Sequence, residues 1–121
     1  LAGRREECPV DCLFCKIAGG EIPSKKLYED DSILAFYDVD PQAPVHFLVI
    51  PKAHIASCNE LTEENSAIVA HIFATIAKLA GELGLKDGYR IVNNCGKDGG
   101  QTVGHLHFHV LAGRSLAWPP G

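Results

Sequence analysis

The 121-residue chain sets 11 Lys and Arg against 15 Asp and Glu, a formal net charge of −4, with 46% hydrophobic and 21% charged residues. That balance fits one globular domain with its own core and argues against a general polyanion binder, so no nucleic-acid partner is expected; a small nucleotide needs only a local site. No apolar run approaches the roughly 18 residues that span a bilayer, so no membrane partner is expected either.

The opening LAGRREECPV lacks the apolar segment of a signal peptide and reads as a flexible arm over residues 1–10, ahead of one domain over residues 11–121. The chain contains no Met, so its natural first residue is expected to precede Leu1. Five cysteines (Cys8, Cys12, Cys15, Cys58 and Cys95) form an odd set without secretory context, which points to a reducing, cytoplasmic setting with thiols free or on metal.

DCLFCKIAGG predicts a short helix with Asp11 as N-cap and Gly19 at its end. KKLYED and SILAFYDV follow as two short strands around the turn Asp30–Asp31. HFLVI, 46 to 50, is a nearly continuous apolar run stopped by Pro51, the pattern of a buried strand. A long helix is expected from a Thr62 cap through Gly84, with Ile68, Val69, Ile72, Phe73, Ile76, Leu79 and Leu83 at three- and four-residue steps. YRIVNN and GHLHFHVL predict two more strands, joined by the glycine-rich CGKDGGQTV. The order implies an α+β domain, a mostly antiparallel sheet with one main helix packed on it.

GHLHFHV carries the sharpest signal. His105, His107 and His109 alternate with Leu106, Phe108 and Val110, so on a strand the three imidazoles share one face and the apolar side chains the other. On a helix the same spacing scatters them by about 200° per step. Three readings stay open. The row can be structural, since single strand histidines commonly are. It can hold a catalytic zinc, although neighbours about 6.5–7 Å apart along a strand usually bring only two rings to one ion. Or it can work on phosphorus: Gly99 and Gly100 let backbone approach a ligand, Gln101 and Thr102 add polar groups, and consecutive N–H groups of such a loop form an anion nest beside a nucleophilic imidazole. Cys12-x-x-Cys15 likewise has two readings, a redox dithiol at a helix start or half of a zinc site.

HLHFHVL resembles the H-x-H-x-H motif of the histidine triad (HIT) nucleotide hydrolases and transferases. The resemblance runs over residues 11–121 through FYDVDPQAPVHFLVIPKAHI, YRIVNN, DGGQTVGHLHFHVLAGR and WPPG. The ending is most similar to the Hint branch, the purine nucleoside phosphoramidases. It implies a HIT-like fold, an antiparallel five-stranded meander with one long and one short helix, pairing in a homodimer into a ten-stranded sheet. It implies cleavage of the P–N bond of purine nucleoside 5′-phosphoramidates (AMP or GMP type) through a nucleotidyl-histidine, with His107 as nucleophile and no metal needed for the chemistry. His109 and Thr102 would assist at the phosphate, with Gln101, Gly100 and Val103 beside them. Asn93, in competition with Asn94, would reach the same region.

The nucleoside cleft implied by the resemblance is lined by Phe14, Ile17, Phe36, Tyr37 and Val39, with Asp38 accepting from the ribose hydroxyls, while Trp118 of the WPPG ending would reach toward the partner's active site and shape leaving-group preference. The bacterial members with a C-x-x-C imply a structural zinc on Cys12, Cys15, His46 and His105. His54 and His71 are expected to be structural, and Cys58 and Cys95 have no assigned role. The competing functions are a dinucleoside polyphosphate hydrolase or nucleotidyl transferase, and a non-catalytic nucleotide-binding regulator.

Overall fold

The computed structural model describes residues 11–121; the arm expected over residues 1–10, with Cys8, lies outside the described residues. Five strands form one antiparallel sheet: β1 (Lys26–Glu29), β2 (Ile33–Tyr37), β3 (Val45–Pro51), β4 (Arg90–Val92) and β5 (Phe108–Ala112). Their order is β1-β2-β3-β5-β4, so the α+β class holds, and the meander of the first three strands is followed by an exchange of the last two. The chain leaves β3, crosses on α2 (Ala67–Glu82) to the far edge as β4, and returns to fill the gap as β5.

β2 and β3 are buried along nearly their whole length because both faces of each are apolar and each face carries a layer. On one face Ile33, Ala35, Phe47, Val49, Phe108 and Val110 meet Ile72, Ile76 and Leu79 of α2. The buried stripe of α2 (Ile72, Thr75, Ile76, Leu79, Ala80) follows the helical period. On the other face Leu34, Phe36, Leu48 and Ile50 meet α1 (Leu13–Ala18) through Cys12, Phe14, Cys15 and Ile17.

Several boundaries differ from expectation for local reasons. The N-cap of α1 is Cys12 rather than Asp11, since the Cys12 sulfur accepts the Cys15 N–H at 3.4 Å; Gly19 is the C-cap, as expected. Thr62 closes a separate turn by exchanging hydrogen bonds with Asn65, and α2 starts later, after Ser66, and ends at Glu82. A four-residue helical turn, α3 (Gly96–Gly99), lies inside the glycine-rich loop. Within the histidine row only Phe108 onward is paired strand.

His71 has a structural place. Its Nε2 and the Tyr28 hydroxyl donate to the same Asp30 oxygen at 2.7 and 2.9 Å, while the other oxygen accepts from the Ser32 and Ile33 N–H groups. Burial works against ionisation, yet these hydrogen bonds hold the Asp30 carboxyl well below the usual carboxylate range. The β1–β2 turn is thereby tied to α2.

Candidate functional site

Antiparallel pairing sets Leu48 of β3 opposite His109 of β5, on the α1 face. Beside them opens a cleft of about 500 Å³ whose walls include Phe14, Ile17, Phe36, Leu48 and Val103. Tyr37, Asp38, Val39, Thr102, His107 and His109 line it too. Thus Phe14, Ile17, Phe36, Tyr37, Asp38, Val39, Thr102, Val103, His107 and His109, all singled out in the sequence, meet in one place. The cleft is mostly apolar with a few polar groups among its walls, as small-molecule sites are.

Hydrogen bonds assign the tautomers along the row. A carbonyl oxygen only accepts, so His107, with Nδ1 2.7 Å from the His105 oxygen, carries its proton on Nδ1 and keeps the Nε2 lone pair. The Phe14 ring stands edge-on to His107 at 5.0 Å between centroids, and His107 is 3% exposed. The Asn93 amide donates to the His107 carbonyl at 2.8 Å, holding the backbone of the same residue.

The same logic runs through His46. The Gln42 N–H donates to His46 Nδ1 at 3.0 Å, which puts the neutral ring's proton on Nε2, and that proton points at His109 Nδ1, 2.9 Å away. His109 is therefore the Nε2–H tautomer when neutral. Burial, with His107 and His46 as further neighbours, pushes its pKa down to about 4 against the pull of Asp38. Asp38 stands 3.5 Å from His46 Nε2 and accepts the Asp40 N–H on its other oxygen at 2.8 Å.

One expected contact is arranged differently. Gln101 spends its amide inside its own loop: Nε2 donates to the Ala56 and Val103 carbonyls at 2.8 and 2.9 Å, and Oε1 accepts the Gly96 N–H at 3.0 Å. It shapes the loop rather than facing the cleft. Trp118, expected to reach toward a partner's active site, is 80% exposed and stands outside this chain's own cleft. Gly100 has φ of +77°, a conformation that side chains disfavour, and ends α3 next to Gln101.

A second constellation lies deeper. Ligand atoms of Cys12, Cys15, His54 and His105 all lie within 4.8 Å of one another. The expected set with His46 is corrected in one member. His105 donates from Nε2 to the Pro51 carbonyl at 2.8 Å, at the end of β3, whereas His46 sits near its start, about 16 Å away at 3.3 Å per residue. His54, just past Pro51, takes the place at 3.3 Å from the Cys15 sulfur, and burial lowers its pKa. With Nε2 committed, His105 turns Nδ1 toward Cys12 and Cys15 at 3.5 and 3.6 Å. Two sulfurs and two imidazole nitrogens so close together could hold a metal ion. Cys15 is disulfide-bonded here, so its sulfur becomes a ligand on reduction. The clue to His54 was its position in IPKAHI, immediately after the strand that carries His105's acceptor.

The HIT domain family model matches residues 19–116. An uncharacterized HIT-like protein of Synechococcus elongatus is 57% identical over 92% of this chain and 97% of its own length. A histidine triad protein from Clostridium difficile is 53% identical with a TM-score of 0.88, covering 91% of this chain and 96% of that one. A HIT family hydrolase from Legionella pneumophila is 52% identical with a TM-score of 0.90, covering 92% and 100%.

Proposed function

The chain belongs to the HIT domain family, and on that premise we propose that it hydrolyses the P–N bond of purine nucleoside 5′-phosphoramidates through a nucleotidyl intermediate on His107. The observation that carries the reading is the fixed tautomer of His107, which leaves Nε2 as an unprotonated nucleophile beside the cleft. The apolar cleft walls accept a purine and Asp38 accepts from the ribose hydroxyls, which sets the α-phosphorus at His107. His107 Nε2 attacks phosphorus, the P–N bond breaks, and the nitrogen leaves as an amine once protonated. Water then attacks phosphorus, releasing the nucleotide and restoring the imidazole. His109, with Nε2–H outward and neutral at physiological pH, donates to the phosphate, and Thr102 offers a hydroxyl on the same rim.

The Cys12, Cys15, His54 and His105 group is the place for a structural zinc, which would tie α1 to the end of β3 and to the row's first histidine. The cytoplasmic setting we propose keeps Cys15 reduced. No step of the reaction uses that group.

Hydrolysis of adenosine 5′-phosphoramidate, run beside a dinucleoside polyphosphate, tests the proposal. The native protein is expected to cleave the phosphoramidate, and His107→Ala to be inactive. A fully active His107→Ala refutes the nucleophile. Preference for the polyphosphate transfers the site to P–O chemistry, and AMP binding without cleavage of either compound makes it a sensor.

A further inference from the structure

The segment after β5 reaches back toward the histidines from outside the cleft. Val45 pairs with Ala112 at the end of the β3–β5 ladder, so the chain leaves β5 beside the loop that joins β2 to β3. Gly113 turns there with φ of +96°, hard against Pro44, where an added Cβ would lie 2.8 Å from the Pro44 Cβ. Arg114 then crosses to the loop. Its Nε and Nη2 groups both donate to the Gln42 carbonyl, at 3.1 and 2.9 Å, and Nη1 donates to the Ser115 carbonyl at 3.1 Å. Two donors of one planar guanidinium on one oxygen fix a direction as well as a distance. Arg90 of β4 ties the same segment to the sheet, its Nη2 donating to the Leu116 and Ala117 carbonyls at 3.2 and 3.1 Å. Gln42 is the residue whose backbone N–H donates to His46 Nδ1. Its side-chain amide donates to the Asp40 carbonyl at 2.9 Å, so it is the backbone of Gln42 that serves the ring.

We propose that Arg114 is a positioning residue: by holding the Gln42 backbone it keeps His46 in its Nε2–H tautomer, and so keeps the His109 N–H turned to the cleft. Its consequence for the rate rests on the phosphoramidase reading; the tautomers rest on the hydrogen bonds alone. Arg114 does not line the cleft and acts through Gln42, His46 and His109 in turn. Without a donor at Nδ1, His46 is free to carry its proton there and to accept on Nε2. His109 then donates from Nδ1 and turns an unprotonated Nε2 to the cleft, which repels a phosphate oxygen instead of donating to it. The segment that follows the histidine row thereby sets the protonation pattern of the row's last member.

The test reads tautomers and rates on the same variants of the full chain. With nitrogen-15 in the imidazoles, NMR at about pH 7.5 separates protonated from unprotonated ring nitrogens. Native His46 and His109 are expected as Nε2–H. In Arg114→Ala both should move toward a mixture of tautomers, while His107, fixed by the His105 carbonyl, stays Nδ1–H. In the same variant kcat for phosphoramidate hydrolysis is expected to fall about tenfold, with KM changed by less than about twofold. Arg114→Lys, which keeps an ammonium donor for the carbonyl, should recover part of the loss. Because the effect passes through His46, Arg114→Ala should cost no further activity in a His46→Ala background. A clamp that only stabilised the loop would lower the melting temperature and leave the ring shifts native. Native ring shifts in Arg114→Ala, an unchanged kcat, or full additivity with His46→Ala each overturn the proposal. A native protein that cleaves no phosphoramidate overturns the functional reading instead, and the ring shifts then decide the role of Arg114 by themselves.

Discussion

His109 presents its N–H to the cleft because His46 has only one place for a proton. With Nδ1 taken by the Gln42 N–H, His46 donates from Nε2, and His109 must accept on Nδ1. His46→Ala releases that tautomer, and kcat for phosphoramidate hydrolysis is expected to fall about 100-fold, the scale of a misplaced proton donor. His46→Gln, which keeps an N–H donor there, should recover part of the loss; an unchanged kcat in His46→Ala refutes the relay. The same ring sets a pH dependence. Between about pH 6.5 and about pH 4 the unfolded chain binds a proton on His109 that the folded chain refuses. The unfolded state then holds more protons, so stability rises with pH: this contribution is complete above about 6.5 and is lost as pH falls toward about 4. Urea midpoints measured from pH 7 to pH 4 should decline, and less steeply in His109→Gln. At this scale spacing singled out the row of three histidines, whereas the part assigned to each came from the resemblance to the HIT family. The exchange of His46 for His54 was not legible, because it depends on His46 lying near the start of β3 while His54 follows Pro51 at its end.

The six-residue α1 is too short to be stable by itself, and it holds its place through Phe14 and Ile17 on the sheet and the sulfurs beneath it. Reduced protein is therefore expected to bind about one zinc per chain at the Cys12, Cys15, His54 and His105 group and to melt several degrees higher with it, since a ligand of the folded state adds stability by mass action. His54→Ala and Cys12→Ser should abolish the rise and the bound metal. His46→Ala should leave zinc content unchanged, and zinc lost in His46→Ala but kept in His54→Ala would reinstate the sequence-based ligand set. Phosphoramidate hydrolysis by the native protein should persist after chelation. Element by element, long periodic runs were the legible ones: the α2 stripe and the apolar β3 stand where their patterns put them. α3 was hidden, since four residues with glycine at both ends carry no period to read.

Across the whole molecule the sheet order could not be read along the chain. β5 takes the inner position beside β3 because Phe108 and Val110 are buried against α2, while the three residues of β4 are only partly buried. β4 is left at the sheet edge, with β5 its strand partner among the described residues. An uncapped edge invites another strand. Near it in sequence Tyr89 is 40% exposed, and Phe73 on α2 is 44% exposed despite stacking edge-on against Phe108. A second copy of the chain that continues the sheet from β4 would cover this edge, which is the arrangement expected of a ten-stranded homodimer. Sedimentation at micromolar concentration should then give a mass of 26 kDa, twice the 13.0 kDa chain. Ile91→Pro, which puts a ring and a missing N–H into β4, should shift that mass toward the monomer if the edge is the seam. A native protein that sediments at 13.0 kDa would leave β4 as a plain protected edge, with the cleft complete within one chain.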